Sequence, residues 1–487
     1  MLMLNAKLIY KVLGSLLFIE AFMMAVCLVT AVCSGGDDIL AFAVTVAVVI
    51  VIAATLRYTG READSTMGLR DAFMLVTVAW VVFSFFGSLP FLISGHIKTF
   101  TDAYFETMAG FTTTGASVID DLEAFPCGLL LWRSIMQWLG GLGIVFFTIA
   151  VLPTLVEGSL RVYSAEGSSS IKTRVHPRLG TTARWILTIY LSLNVACAAV
   201  YYALGMDVFD SVNHAMTTIS TGGFATHNES IAYFNSPGID RAAIVFMCLG
   251  SISFTLLYMA VFKGKVKDLL TSSELRLFFF MIVACTAAVA AFLIVDGGYS
   301  IGGAVHSALF QVTAFITSTG FSTEDAGDWP HLTWGVLSLC MIVGGCAGST
   351  SGGIKCMRVL TVLKIVGNEF TKKLHPRAVL PVRVNGTNIA GQQQVTIIAF
   401  IALYVLMCVV ASFFLAMLGV APANALTMSL CCAGNVGSAV GPDISNTMSW
   451  SPLPMAAKWA CTVLMLVGRL EIFNVLVLFT TAFWKGD

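Results

Sequence analysis

The chain has 487 residues, of which 57% are hydrophobic and only 11% are charged, and its mean hydropathy is +0.87. Its 27 basic and 27 acidic side chains give a formal net charge of zero. These values exclude a soluble globular protein and predict a polytopic membrane protein. The thirteen cysteines contain no CxxC pair and no cysteine and histidine spacing that suits zinc, so we expect most of them to be small core residues.

Apolar runs long enough to cross the hydrocarbon layer, roughly 20 residues each, recur along the whole chain and predict about ten crossings. They lie at 8–33, 39–56, 72–94, 129–155, 185–205, 242–262, 276–295, 333–366, 395–420 and 456–484. No small-residue cleavage site follows the first run, so we expect no cleaved signal peptide.

Basic residues concentrate in alternate loops between these runs. They are Lys7, Lys11, Arg57, Arg61, Arg70, Arg161, Lys172, Arg174, Arg178, Arg184, Lys263, Lys265, Lys267, Arg276, Arg358, Lys364, Lys372, Lys373, Arg377 and Arg383. The positive-inside rule makes these loops and both termini cytoplasmic. The opposite loops are acidic, with Asp37, Asp38, Asp120, Asp121, Glu123, Glu229, Glu324, Asp325, Asp328 and Asp443. An acidic outer face concentrates cations at an entrance.

Four polar stretches interrupt the apolar pattern, each between two predicted crossings. They read AGFTTTGASVI at 109–119, TTISTGGFATHN at 217–228, FITSTGFSTED at 315–325 and LCCAGNVGSAVGP at 430–442. A short amphipathic run precedes each of them, at 101–112, 208–219, 303–317 and 422–433. One glycine of each stretch recurs about every hundred residues, which is the mark of an internal repeat. These glycines are Gly115, Gly222, Gly320 and Gly437.

The repeat predicts an all-α polytopic membrane protein. Four pseudo-repeated units, each made of a helix, a short pore helix, a filter loop and a helix, surround a central pore, and two transmembrane helices precede them. The predicted boundaries are 1–68 for the two N-terminal helices and 69–160, 181–268, 273–370 and 391–487 for the four units.

Non-helical backbone at membrane depth is tolerated only where it is buried in protein or lines water. Four such loops at the same place in four repeats therefore predict a ring about a pseudo-fourfold axis. The partially negative C-terminal ends of the short helices would face its centre. Loop carbonyls and threonine hydroxyls would replace the hydration shell of a cation there, and glycine permits the backbone geometry that this requires.

At these residues the chain resembles the Trk/Ktr/HKT superfamily of potassium transporters, and most closely its Trk-type bacterial membrane subunit. The resemblance covers the filter loops, the two preceding helices and the glycine-rich segment 344–353. It implies these filter strands: Thr113, Thr114 and Gly115; Ser220, Thr221 and Gly222; Ser318, Thr319 and Gly320; Asn435, Val436 and Gly437. The fourth strand departs from the pattern, since it lacks a Thr-Gly pair, also carries Gly434, and has Ser438 where many relatives have proline. Its register therefore stays open.

The run 333–366 is about one and a half times as long as a crossing requires. It contains GGCAGSTSGGIK at 344–355, and glycine costs a helix about 1 kcal/mol per residue. We therefore predict two half-helices joined by a loop below the filter. We expect this loop to be a gate, formed by Gly344, Gly345, Gly348, Gly352, Gly353, Lys355 and Arg469.

Arg469 is an ionisable residue well inside the last crossing, where such residues usually face a cavity or a partner. Glu471 is two positions away and cannot share its helix face, so we expect the carbonyls of the 344–353 loop to be its partners. The resemblance also places an arginine here near the intramembrane loop.

The resemblance implies potassium uptake across the bacterial cytoplasmic (inner) membrane, with K⁺ as the bound and transported ion. The sequence has no P-loop and no GxGxxG after a strand, so we expect no organic cofactor in this chain. The family further implies a homodimer and a cytosolic nucleotide-binding regulatory ring of the TrkA type. Membrane lipid is the other expected partner, and no nucleic acid is expected.

Three alternatives are open. Sodium permeation or sodium/potassium symport is the nearest, but plant relatives associated with sodium carry serine in place of the first filter glycine, here Gly115. An intramembrane hydrolase is suggested by the G-x-C-x-G spacing at 344–348, although no strand precedes it and no acid is placed to orient a histidine. A symporter built from inverted repeats would show two half-chain repeats rather than four units.

Overall fold

The computed structural model describes residues 4–63, 68–150, 179–441 and 444–484. The chain begins with two long helices, α1 (Ala6–Ser34) and α2 (Ile39–Thr59), which form an antiparallel hairpin. The side chain of Asn5 caps α1 by accepting a hydrogen bond from the backbone of Leu8 at 3.1 Å. Five charged residues of the predicted loops lie outside the described residues: Arg161, Lys172, Arg174, Arg178 and Asp443.

Four units of similar order follow the hairpin. The first contains α3 (Leu69–Ser94), α4 (Phe100–Phe111) and α5 (Cys127–Ala150). The second contains α6 (Leu179–Ala203), α7 (Val208–Ile219), α8 (Pro237–Ser251), α9 (Phe254–Lys263) and α10 (Val266–Thr271). The third contains α11 (Ser273–Val295), α12 (Ile301–Ile316), α13 (His331–Val343) and α14 (Cys356–Leu374). The fourth contains α15 (Gly391–Met417), α16 (Pro422–Gly434), α17 (Met455–Arg469), α18 (Ile472–Leu476) and α19 (Thr481–Trp484).

Short elements complete the described chain. Three 3₁₀ turns lie at Ser230–Phe234, Ala326–Asp328 and Val477–Phe479. Two antiparallel strands, β1 (Arg383–Val384) and β2 (Thr387–Asn388), form a small hairpin just before α15. Otherwise the described residues are helical or irregular, in agreement with the all-α prediction.

Among the described residues, six helices are long and apolar enough to cross a membrane without a break: α1, α2, α3, α6, α11 and α15. Two bent pairs of helices pass the same test when each is taken together, α8 with α9 at 98° and α17 with the segment Ile472–Phe479 at 112°. The predictions of continuous crossings at 242–262 and 456–484 are therefore wrong at their centres. Long apolar stretches on both sides conceal the two breaks, although Ser251 and Ser253 lie at the first and Arg469 and Glu471 at the second. Helix α5 occupies the predicted crossing at 129–155 as far as Ala150, and residues 151–155 lie outside the described residues. Helices α13 and α14 occupy the predicted crossing at 333–366.

The outward faces of the spanning helices carry large apolar side chains. Phe22 is 64% exposed, Phe280 66% and Phe413 69% in the isolated chain. Surfaces of this kind fit the hydrocarbon of a bilayer, and together with the apolar spans they indicate a multi-pass membrane protein.

The N-terminal hairpin depends on close backbone packing at Gly14. A methyl group on Gly14 would lie 2.7 Å from the carbonyl oxygen of Ala53 and 2.9 Å from the backbone nitrogen of Arg57. Small residues allow such helix contacts inside membranes.

We expect Gly14→Ala to lower the thermal unfolding midpoint of the detergent-solubilised protein, because overpacking typically costs about 1–3 kcal/mol. Gly335→Ala is the matched control, since a methyl group at this position of α13 meets nothing within 4 Å. Equal midpoints for the two variants would show that the hairpin tolerates wider spacing.

Candidate functional site

The four short helices α4, α7, α12 and α16 end in one backbone motif. Each is followed by a non-glycine residue with positive φ and, two residues later, by a glycine with positive φ. The pairs are Thr113 (51°) and Gly115 (82°), Thr221 (53°) and Gly223 (77°), Ser318 (55°) and Gly320 (76°), and Asn435 (52°) and Gly437 (83°). In each unit the first residue donates its N–H to the carbonyl three residues earlier, and the next residue donates to the carbonyl five residues earlier. This is the Schellman arrangement of a helix C-terminus, repeated four times.

The shared motif fixes the register of each strand. The second strand consists of Thr221, Gly222 and Gly223, one residue later than the Ser220, Thr221 and Gly222 that the sequence predicts. Two adjacent glycines hide this register in the sequence, whereas the left-handed backbone at Thr221 determines it in the structure. The fourth strand, at 435–437, has the same backbone pattern as the first and third, and Gly434 is the last residue of α16.

The glycines of the four strands lie against one another in a ring. A Cβ atom added to any of them would overlap a carbonyl oxygen of the next strand. Gly115 lies against the oxygen of Gly222, Gly223 against Thr319, Gly320 against Val436, and Gly437 against Thr114. The contacts therefore run from the first strand through the second, third and fourth and back to the first. All four strands surround one axis, at a separation that only glycine allows.

One end of this ring opens into a cavity of about 220 Å³ that is lined by all four of these glycines and by the segments that follow the strands. Asp120 and His227 also line it. His227 lies with its Nε2 3.1 Å from Oδ2 of Asp210, and the hydroxyl of Thr226 donates to Oδ1 of Asp210 at 2.6 Å. Burial raises the pKa of Asp210, but the hydrogen bonds from Thr226 and His227 outweigh it and hold that pKa below its usual value. Asp210 therefore keeps a negative charge near the cavity.

A buried ion pair supports the outer ends of the first two strands. Nε of Arg133 lies 2.8 Å from Oε1 of Glu106, and their side chains are 2% and 0% exposed. The other oxygen of Glu106 accepts from the backbone of Val118 at 2.9 Å, and Nη1 of Arg133 donates to the carbonyl of Ala225 at 2.9 Å. In the sequence this pair is marked by an acid in a short amphipathic run and a base in a predicted crossing, which do not show that the two side chains meet.

The segment between α13 and α14 is irregular and packs against the ends of the short helices. The backbone N–H of Gly352 donates to the hydroxyl of Ser318 at 2.6 Å, and the hydroxyl of Thr350 donates to the carbonyl of Ile219 at 3.0 Å. A Cβ atom on Gly352 would overlap the carbonyl oxygen of Gly434. The predicted loop thus lies directly beside the ends of α7, α12 and α16. Of the other predicted loop glycines, Gly344, Gly348 and Gly353 have positive φ.

The loop also bonds to the break between α8 and α9. The N–H of Cys346 donates to the carbonyl of Ser251 at 3.0 Å, and the N–H of Phe254 donates to the carbonyl of Gly348 at 3.1 Å. A methyl group on Gly345 would lie 3.0 Å from Cβ of Ser251, so these two interrupted segments touch along their backbones. Each break therefore supplies hydrogen-bonding groups to the other.

The two basic residues of the predicted gate, Arg469 and Lys355, contact the loop. Nη1 of Arg469 donates to the carbonyl of Thr350 at 2.7 Å, which is the kind of partner that the sequence predicts. Nζ of Lys355 donates to the carbonyl of Ser351, so this lysine holds its own loop. Glu471, which does not pair with Arg469, lies 2.7 Å from Arg358 of α14. Before Gly344 the described chain is helical, so the strand that a nucleophile elbow needs is missing at Cys346.

Comparisons with known proteins agree with this architecture. The family model described as a cation transport protein, TrkH, matches residues 39–485. The Trk system potassium uptake protein TrkH of Halomonas elongata is 33% identical over 488 residues, covering 99% of this chain and 100% of that protein. The protein of the same name from Escherichia coli K12 is 34% identical over 452 residues, covering 91% and 92%. The crystal structure of the potassium transporter TrkH from Vibrio parahaemolyticus matches with a TM-score of 0.90 at 33% identity, covering 98% and 99%.

The fold and these matches define a membrane transport protein rather than an enzyme. The chain belongs to the TrkH family of cation transport proteins. The family resemblance that the sequence indicates is thereby confirmed.

We expect Glu106→Ala to destabilise the folded protein strongly, because removing one partner of a buried ion pair typically costs about 3–5 kcal/mol. Thermal unfolding of the purified protein measures the effect. Glu369→Ala is the matched control, since Glu369 pairs with Lys372 on the surface, where their side chains are 56% and 45% exposed. Exposed pairs contribute about 0–1 kcal/mol. A similar shift in both variants would contradict a supporting role for the buried pair.

Proposed function

We propose that this chain conducts potassium ions inward through the ring formed by its four strands. The observation that carries the proposal is the closed cycle of contacts between each ring glycine and a carbonyl of the next strand. A narrow ring of backbone groups can replace the hydration shell of a cation. The proposed filter is Thr113, Thr114 and Gly115; Thr221, Gly222 and Gly223; Ser318, Thr319 and Gly320; Asn435, Val436 and Gly437. The relatives named as potassium uptake proteins support the choice of ion.

Electrostatics favour a cation at this place. Each strand directly follows the C-terminal end of a short helix, where the helix dipole is partially negative. Entry from the outside is driven by the membrane potential, which supplies about 2.3 kcal/mol per charge per 100 mV. The pathway therefore needs no organic cofactor, and K⁺ is the bound and transported ion.

A sodium-permeable or sodium/potassium-coupled pathway is the second candidate. Gly115 argues against this candidate, because relatives associated with sodium carry serine at this position. A side chain here would overlap the carbonyl oxygen of Gly222. A serine would therefore change the size of the ring and the direction of its carbonyls, on which ion selectivity depends.

The loop at 344–355 is the proposed gate. It lies against the ends of three short helices, and Arg469 and Lys355 both donate hydrogen bonds to its carbonyls. An ion that leaves the ring on this side meets the loop and the side chains of Arg469 and Lys355. Movement of the loop would therefore control flow without changing the filter.

We further propose that the protein lies in the inner membrane of a bacterial cell, with both termini in the cytoplasm. A homodimer and a cytosolic TrkA-type nucleotide-binding ring complete the assembly. Exposed cations, including Lys263, Lys265, Lys267, Lys372 and Lys373, provide a surface on which an acidic partner would dock.

The experiment that tests this function is rubidium uptake by vesicles that contain the purified protein, with potassium and sodium as competitors. Potassium should compete strongly and sodium weakly, and a negative interior potential should increase uptake. Uptake that sodium blocks as well as potassium does would favour the second candidate. No uptake by a correctly folded protein would contradict both.

Gly115→Ser should weaken discrimination between potassium and sodium in this assay, because its side chain displaces the carbonyl of Gly222. We expect a loss of about tenfold, the effect of roughly 1.4 kcal/mol. Gly335→Ser is the control, because its side chain enters open space. Unchanged discrimination in a well-expressed Gly115→Ser variant would count against the ring as the filter.

Lys355→Ala should raise basal flux in the absence of the regulatory partner and leave ion preference nearly unchanged. The substitution releases the loop from Nζ and removes a positive charge from the exit. Two unit charges about 8 Å apart in a medium of dielectric constant about 20 repel by about 2 kcal/mol, which corresponds to more than tenfold in rate. Lys372→Ala, at the exposed end of α14, is the control. Equal or lower flux at matched protein levels would exclude a gating role for Lys355.

A further inference from the structure

The second strand differs from the others at the position just before its ring glycine. The first, third and fourth strands carry Thr114, Thr319 and Val436 there, whereas the second carries Gly222. Gly222 does not have positive φ, so its backbone conformation does not require glycine. Another group must therefore explain why a side chain is absent at this point of the ring.

Gln137 of α5 fills this space. A Cβ atom on Gly222 would overlap the carboxamide of Gln137, which is fully buried. Nε2 of Gln137 donates to the carbonyl of Gly222 at 2.7 Å, and its Oε1 accepts from the N–H of Phe224 at 3.0 Å. The carboxamide therefore holds the backbone on both sides of Gly223.

In the first and third strands, a pair of threonine hydroxyls supports the backbone instead. The hydroxyls of Thr112 and Thr114 lie 2.8 Å apart, and those of Thr317 and Thr319 also lie 2.8 Å apart. Each pair links the end of the short helix to the strand. Ser220 stands at the corresponding place in the second unit, but Gly222 offers it no hydroxyl.

We propose that Gln137 is a positioning residue for ion selectivity: its carboxamide replaces the threonine that the second strand lacks and fixes Gly223 in the ring. This inference rests on the proposed function. Gln137 belongs to the first unit and supports the strand of the second. The carbonyl that it holds is the one against which Gly115 lies, and Gly223 in turn lies against the third strand. A shift of this carboxamide would reach three of the four strands.

The test uses the full chain in vesicles, with Gln137→Leu, Gln137→Glu and the double variant Gln137→Ala with Gly222→Thr. Leucine removes both hydrogen bonds, and glutamate keeps the shape but loses the donor to Gly222. Both should reduce the preference for potassium over sodium by about tenfold, the usual effect of leaving a buried polar group unpaired. The double variant should recover most of the preference, because a threonine at 222 can pair with Ser220 as Thr114 pairs with Thr112.

Gln394→Leu is the matched control, since Gln394 in α15 also donates its amide to a backbone carbonyl, that of Ile389 at 2.8 Å, but lies outside the ring. It should leave the preference unchanged. A wild-type preference in both folded Gln137 variants, or a lower rate at unchanged preference, would overturn the inference while the proposed function stands. Failure of the double variant to recover more preference than Gln137→Leu would also overturn it. A wild-type protein without any preference would overturn the proposed function and the inference together.

Discussion

The close approach of backbone to backbone at the ring glycines is the constraint on which the rest of the structure depends. Each glycine lies against a carbonyl of the next strand, and no side chain of any size fits between them. Four strands can meet in this way only if the helices before them end at the same depth and in the same geometry. The repeated Schellman motifs achieve this, because they reverse the chain within two residues of each helix end.

Different side-chain interactions support the ring in the different units. A buried ion pair joins the first two strands, a glutamine holds the second, and hydroxyl pairs hold the first and third. Asn435 of the fourth donates to the hydroxyl of Thr114 and to the carbonyl of Met465, both at 2.9 Å. The interrupted segments of the second and third units likewise satisfy each other's backbone groups. The interrupted backbone of these segments is thus hydrogen-bonded within the protein, which is what makes irregular backbone tolerable at membrane depth.

Much of this architecture can be predicted from the sequence, because the sequence patterns that indicate it are either long or repeated. Apolar runs indicate the spans, and four polar stretches after short runs indicate the loops that follow α4, α7, α12 and α16. The glycine-rich segment at 344–355 predicts the break in the third unit. The breaks at Ile252 and Leu470 escape prediction. Ser251 and Ser253 flank the first break and Arg469 and Glu471 flank the second, but long apolar stretches on both sides hide these short polar signals. The register at Gly223 cannot be predicted either, because it depends on a backbone angle. The contacts of Gln137 cannot be predicted, because Gly222, its partner, lies 85 positions away in the sequence.

The ring is built by a single chain, and this has an evolutionary consequence. In a pore assembled from four identical subunits, one codon change alters four equivalent positions together. Here the residue with left-handed backbone is Thr113, Thr221, Ser318 or Asn435 according to the unit, so equivalent positions already differ. A mutation replaces the side chain in one quarter of the circle, and the other three quarters keep their residues. Such a ring can be adjusted in small increments, one quadrant at a time.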